Sequence, residues 1–235
     1  MFRQPSNKLN GSTVDGQGRL VTCEHLTGQI TRTEHDGSIS VLSASFKGKR
    51  FNSLNDIVVK SDGSIWFSDP PYGILFDYEG GIAESEIGAC NVYRIDPQSG
   101  DFEIAADDFD KPNGPAFSPE EKYLYAADTD ITHNVNGPKH IRRFEINADG
   151  KSLRKSMVFA DCTAGPFDGF RLDSDGRIWM SAADGVHCYD PDGTLIGKVL
   201  VPELVSNLCF GGAKRNRLFI CGSTSLYSIF LAING

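Results

Sequence analysis

Apolar and polar residues alternate along most of this chain, and the alternation restarts about five times. Ile57 and Val59, then Ile65 and Phe67, fall two apart, which is the period of a half-buried strand. Each restart follows one plan: an Asn or Asp with small neighbours, an alternating stretch, an Asp-Gly-type turn and a second apolar stretch. The clearest copies run from Asn55 to Asp69 and from Phe167 to Ser181, and Pro112 to Ala126 is a looser third. Weaker copies begin at Asn10 and Asn207. The lead residues Asn10, Asn55, Asn113, Asp168 and Asn207 recur at intervals around the roughly 40–50 residues that one four-stranded propeller blade needs. No helical solenoid fits that spacing.

Turn chemistry completes the element count. Ser61 to Ser64 and Ser174 to Arg177 contain Asp-Gly pairs that tolerate positive φ and close a hairpin between the first two strands of a repeat. Further turns follow at Asp36-Gly37, Ser99-Gly100, Asp149-Gly150 and Asp192-Gly193, so each repeat is expected to hold four strands. The expectation is an all-β chain, a single propeller domain over residues 1–235.

Composition narrows the partners. With 40% apolar residues in 235, the chain can bury a substantial core. A net charge of −8 and the lack of any Lys/Arg run argue against nucleic acid and anionic membrane surfaces, which need a basic footprint. The six cysteines form no Cys-x-x-Cys pair, so they read as reduced core residues and not as a zinc site or disulfide framework. No leader-like apolar region or long apolar span is present, which points to the cytoplasm. A Gly-x-Ser-x-Gly elbow, a phosphate loop and a His-Glu-x-x-His motif are all missing, so serine-hydrolase, nucleotide and zinc-peptidase chemistry are not indicated.

In a propeller the first strand of every blade lines the axis, so polar residues opening those strands converge at one mouth. Asn55, Asn113 and Asp168 hold that lead position in three successive repeats. Two amide oxygens and a carboxylate suit a hard oxygen-seeking divalent cation, calcium more readily than zinc. The same residue types are also ordinary turn formers.

These residues carry a resemblance. Arg50 to Asp56, Lys111 to Gly114, Phe167 to Gly169 with the Leu172 to Trp179 stretch, and Asn207 to Gly212 resemble the senescence marker protein/regucalcin/gluconolactonase family of sugar lactonases. Trp66 to Gly73 and Thr22 to His25 resemble its bacterial gluconolactonase branch. The resemblance implies a six-bladed propeller with one divalent cation, usually calcium, at the channel mouth. It implies metal ligation by Asn113 and Asp168, a metal or substrate contact from Asn55, and proton transfer by Asp168. The implied reaction is hydrolysis of a sugar lactone such as gluconolactone to the aldonic acid. Family members carry a Glu ligand in a Glu-Gly-Pro motif of the first blade, whereas Met1 to Asn7 resembles the end of that blade. The chain therefore reads as a six-bladed type with most of its first blade missing, about five four-stranded repeats remaining, and a propeller edge open to self-association. A non-catalytic binding module or inactive fragment is the alternative from another class, and a related esterase or organophosphatase the alternative within catalysis.

Other candidates follow from position. His25 ends a strand where it could contact a sugar hydroxyl or act as a second base, with Glu24 pointing to the opposite face. His133 and His140 lie in a polar connection without metal-ligand geometry, and His35 and His187 sit by turns and strand ends where exposure is expected. Asp69 and Asp128 end second strands, where a carboxylate commonly bonds the next turn. The segment from Tyr72 to Ala89 exceeds what a hairpin needs and reads as a substrate lid, with Tyr72 and Tyr78 available to stack on a sugar ring.

Overall fold

Strands form wherever two alternating stretches are joined by a turn that positive-φ residues can make. The structure, a computed structural model, describes residues 3–235. These divide into two compact units, the first ending at Pro115 and the second beginning at Ala116. In the first unit, β1 (Leu9–Val14), β2 (Leu20–Glu24), β3 (Gln29–Thr33) and β4 (Ile39–Ser43) form one antiparallel sheet in chain order. A second sheet takes β5 (Ile57–Val59), β6 (Ile65–Asp69), β7 (Asn91–Ile95) and β8 (Phe102–Ala106). A single helical turn, α1 (Tyr72–Leu75), interrupts the β6–β7 connection.

The division between units falls inside β9 (Pro112–Phe117), whose sheet continues with β10 (Tyr123–Asp128), β11 (His140–Ile146) and β12 (Leu153–Asp161). The second unit also holds the sheet of β13 (Phe170–Leu172), β14 (Ile178–Ala182), β15 (Gly185–Tyr189) and β16 (Leu195–Leu200). Last comes a three-stranded sheet of β17 (Val205–Gly211), β18 (Arg217–Gly222) and β19 (Leu226–Phe230). The fold class is an all-β propeller, and these five sheets are its blades among the described residues.

The hairpin turns fall where the Asp-Gly pairs place them. Gly63, Gly176, Gly37, Gly100, Gly150 and Gly193 all adopt positive φ, and each turn carboxylate caps nearby backbone N–H groups. Asp62, for example, accepts from the Ser64 amide at 2.8 Å. Both tryptophans donate their indole N–H to such turns, the buried Trp66 to Ser64 at 3.0 Å and the half-buried Trp179 to Asp173 at 2.9 Å. Apolar faces then stack into cores within each unit: Val21, Ile30, Phe51, Leu54, Phe67 and Tyr93 in the first, and Tyr125, Ile141, Phe170, Ile178 and Met180 in the second. Burying each large side chain is worth about 1.5–3 kcal/mol.

Three expectations need correction. The first sheet has four strands, so the described residues show five blades and not a six-bladed type missing its first; the short sheet is the last. After β19 the chain does not add a fourth strand there. It folds back, with the Leu231 amide on the Asn216 carbonyl and the Gly235 amide on the Arg215 carbonyl. Met1 and Phe2, which open the stretch read as the end of a lost blade, lie outside the described residues, whereas Arg3 and Asn7 both bond Glu24 of the first sheet. Only Cys23, Cys162 and Cys188 are buried, and Cys209 and Cys221 are exposed because they alternate with the inward Leu208 and Ile220 on β17 and β18. His187, expected at the surface, is fully buried: it lies mid-strand in β15, bonded to Asp184 at 2.6 Å and packed edge-on to Phe167. No helix among the described residues is long and apolar enough to cross a membrane.

Candidate active site

Strand register places two of the lead residues in the same position of their sheets. Asn55 stands two residues before Ile57, which pairs with Phe67, and Asp168 two residues before Phe170, which pairs with Met180. A buried serine of the second strand anchors each. In the first unit the Asn55 amide donates to the Ser68 carbonyl at 2.9 Å and the Asp56 amide to Ser68 Oγ at 3.2 Å. In the second unit the Asp168 amide donates to Ser181 Oγ at 3.1 Å, and the Ser181 amide to the Gly169 carbonyl at 3.1 Å. Asn55 and Asn113 are buried, and Asn113 Oδ1 accepts from the Gly114 amide at 3.0 Å. Asp168 is half-buried.

Asn207 is one step out of phase with these. It pairs with Cys221, which follows the buried Ile220 just as Ser68 follows Phe67 and Ser181 follows Met180. Its Oδ1 accepts from the Leu208 amide at 2.8 Å, and its side chain packs directly on Gly169. A Cβ at Gly169 would stand 2.2 Å from Asn207 Cγ, so the glycine beside Asp168 is a steric requirement.

His25, just past β2, is buried, and its Nδ1 lies 3.2 Å from the Glu79 carbonyl oxygen. A carbonyl only accepts, so Nδ1 carries the proton and Nε2 presents its lone pair. Burial pulls the His25 pKa down more than the Glu79 bond raises it, which keeps the ring neutral. Nε2 is buried without a hydrogen-bond partner. Tyr72 lies next to Gly73, which sits so close that a Cβ there would be 2.9 Å from His25 Cβ and 2.8 Å from Ser53 Cβ. Its half-buried ring faces the Lys111 ammonium at 5.8 Å, two residues before Asn113.

The segment read as a lid is fastened along its length. Ser53 Oγ donates to the Pro70 carbonyl at 2.6 Å and accepts from the Gly73 amide at 2.8 Å. Lys8 Nζ donates to the carbonyls of Asp77 and Gly80, and Asn52 Nδ2 to that of Ala89 at 2.8 Å. These ties hold it as a fixed wall. Tyr78 projects into solvent at 89% exposure, with nothing beneath it to form a stacking platform.

The remaining acids are structural. Asp69 bonds the preceding loop and not the next turn, accepting from the amides of Asn52 at 3.0 Å and Ser53 at 2.9 Å. Burial raises its carboxyl to about 7 against those two bonds. Burial also pushes the Glu24 carboxyl up, but bonds from Thr27, Thr31, Asn7 and Arg3 outweigh it and leave it below the usual range. Asp128 is buried at the end of β10. His35 and His133 are exposed, and His140 stands 3.9 Å from Asp161. Among the described residues no three His, Cys, Asp or Glu side chains gather to hold a metal ion. The anchoring serines were missed from sequence, although Trp66-Phe-Ser68 and Trp179-Met-Ser181 align; Ser53 carried no such signal.

The SMP-30/Gluconolactonase/LRE-like region model matches residues 2–224. The chain belongs to this family. A gluconolactonase of Zymomonas mobilis is 30% identical over 97% of the chain, which spans 64% of that relative's length. A solved gluconolactonase of Xanthomonas campestris is 39% identical with a TM-score of 0.86, over 94% of this chain and 71% of that one. A structural-genomics structure assigned to the gluconolactonases is 38% identical with a TM-score of 0.90, over 99% of this chain and 77% of that one.

Proposed function

We propose that this chain hydrolyses a sugar lactone such as gluconolactone to the aldonic acid. The observation carrying the reading is the family match over nearly the whole chain, with its only lead-position carboxylate, Asp168, half-exposed on a serine-anchored backbone. Asp168 acts as general base, taking the proton of the water that attacks the lactone carbonyl, a role commonly worth 10²–10⁴-fold. Asn113, Asp168 and Asn55 supply neutral and anionic oxygens and no sulfur or imidazole, a donor set that fits a divalent cation, calcium foremost. When bound, that ion supplies Lewis acidity at the carbonyl oxygen.

His25 Nε2, neutral and without a partner, accepts a sugar hydroxyl. Tyr72 offers a ring face to the sugar.

The test is gluconolactone hydrolysis, corrected for spontaneous opening, by chelator-treated protein with and without calcium, beside Asp168→Asn. Calcium-dependent turnover lost in the variant supports the reading. Absence of turnover by folded protein with every divalent ion tried replaces it with that of a binding module.

A further inference from the structure

A cavity lies within the first unit, and none of the lead residues lines it. It has a volume of about 370 Å³ and is lined by Phe46, Lys47, Lys49, Asn91, Ile104 and Asp107, with Ile87 and Ala89. That volume suits a small ligand. Its apolar lining is the buried Phe46 ring, packed 4.9 Å from Tyr93, and the exposed Ile104 side chain.

Charge at the rim is fixed by a tight turn. The Phe46 and Lys49 amides and carbonyls bond reciprocally at 2.9 and 3.0 Å, with Lys47 and Gly48 both at positive φ. This is the two-residue turn that twists with its flanking chain, so it holds both lysines on one short platform. Among the described residues no ion pair engages Lys47 or Lys49, and Lys47 Nζ leans over Phe46 at 5.1 Å. Two ammonium groups against the Asp107 carboxylate leave the rim with an excess of one positive charge. That balance matches a monoanion and disfavours a phosphate dianion.

Asn91 supplies the second, independent observation. It is 3% exposed, its Nδ2 bonds the Tyr93 hydroxyl at 2.9 Å, and its Oδ1 has no partner. Turning the amide over satisfies Oδ1 with the hydroxyl proton and orphans Nδ2, so one polar atom of Asn91 lacks a partner in either orientation. A buried orphan of this kind costs about 1–3 kcal/mol. A ligand hydroxyl both donates and accepts, so it satisfies either orientation, which a carbonyl or an ammonium does not.

From these features we infer that the cavity binds a small hydroxycarboxylate: its carboxylate on Lys47 and Lys49, a hydroxyl on Asn91, another toward Asp107, and its carbon face on Phe46 and Ile104. The inference is independent of the lactonase reading, since none of these residues belongs to the proposed catalytic set.

Amide-resolved NMR titration with sodium gluconate tests it. Gluconate is expected to shift the amides of Lys47, Gly48, Lys49, Asn91 and Ile104, glucose to leave them unmoved, and Lys47→Ala/Lys49→Ala to weaken binding about tenfold. Both lysines are exposed, so this variant keeps its fold. Asn91→Ser retains a hydroxyl in place of the amide and is expected to weaken binding while leaving the lysine amides responsive. No shift at these amides at millimolar gluconate, shifts unchanged in the double variant, or stronger shifts with inorganic phosphate would each overturn the inference. Lactone turnover is measured separately and is expected to be the same in the double variant, so failure of either reading is visible without the other.

Discussion

The second and fourth sheets share a plan and use their carboxylates in opposite ways. Both open with a lead residue anchored to a buried serine, Ser68 or Ser181. In the second sheet an acid ends the second strand, as Asp69, fully buried and clamped by two backbone amides. In the fourth sheet the second strand ends in Ala182 and an acid holds the lead position, as the half-buried Asp168. A carboxylate spent on backbone amides organises a loop, and under the proposed function the carboxylate at the lead transfers a proton.

The sharpest way to break this contrast is Asp168→Asn, which keeps shape and removes the base. It is expected to cut kcat/KM for gluconolactone by about 10²–10⁴-fold with an unchanged thermal transition. Asp69→Ala should do the reverse. Two buried amides lose their acceptor, and chemical denaturation should show a loss of about 2–4 kcal/mol. Asp69 also gives the contrast a pH signature. Its folded pKa of about 7 lies above the unfolded value near 4, so its contribution is fully present below about pH 4 and declines as pH rises through 7. Asp69→Asn should flatten that part of the stability profile, and an unchanged profile would assign the titration elsewhere.

Strands and hairpins were legible because their causes are local: alternation over a few residues and Asp-Gly pairs at turns. The phase of Asn55 and Asp168 was legible for the same reason. Asn207 was not, because its one-residue offset depends on pairing with Cys221. The five repeats were legible in the alternation, whereas the six-bladed type with a missing first blade came from a resemblance, and the return of residues 231–235 across the β17–β18 turn has no local signature. His187 reads as a surface residue until Asp184, three residues earlier, turns in to bond it. The fixed wall read as a lid because its ties come from Lys8, Asn52 and Ser53, distant in sequence.

Smaller effects sharpen the comparison. Gly169→Ala forces a Cβ into Asn207 and should cost about 1–3 kcal/mol, read by denaturation, with a fall in lactone turnover as Asp168 shifts. Ser181→Ala removes a single bond to the Asp168 amide and should cost about 1 kcal/mol, with Ser68→Ala similar in the other sheet.

The wall from Pro70 to Ala89 is held chiefly through its main chain: the carbonyls of Pro70, Asp77, Glu79, Gly80 and Ala89 take the incoming bonds. Side chains such as Leu75 and Tyr78 stand exposed. The path of the segment is thus uncoupled from the identity of its outward residues. Those positions form a natural cassette for randomisation, in which new surfaces can be displayed without rebuilding the loop that carries them.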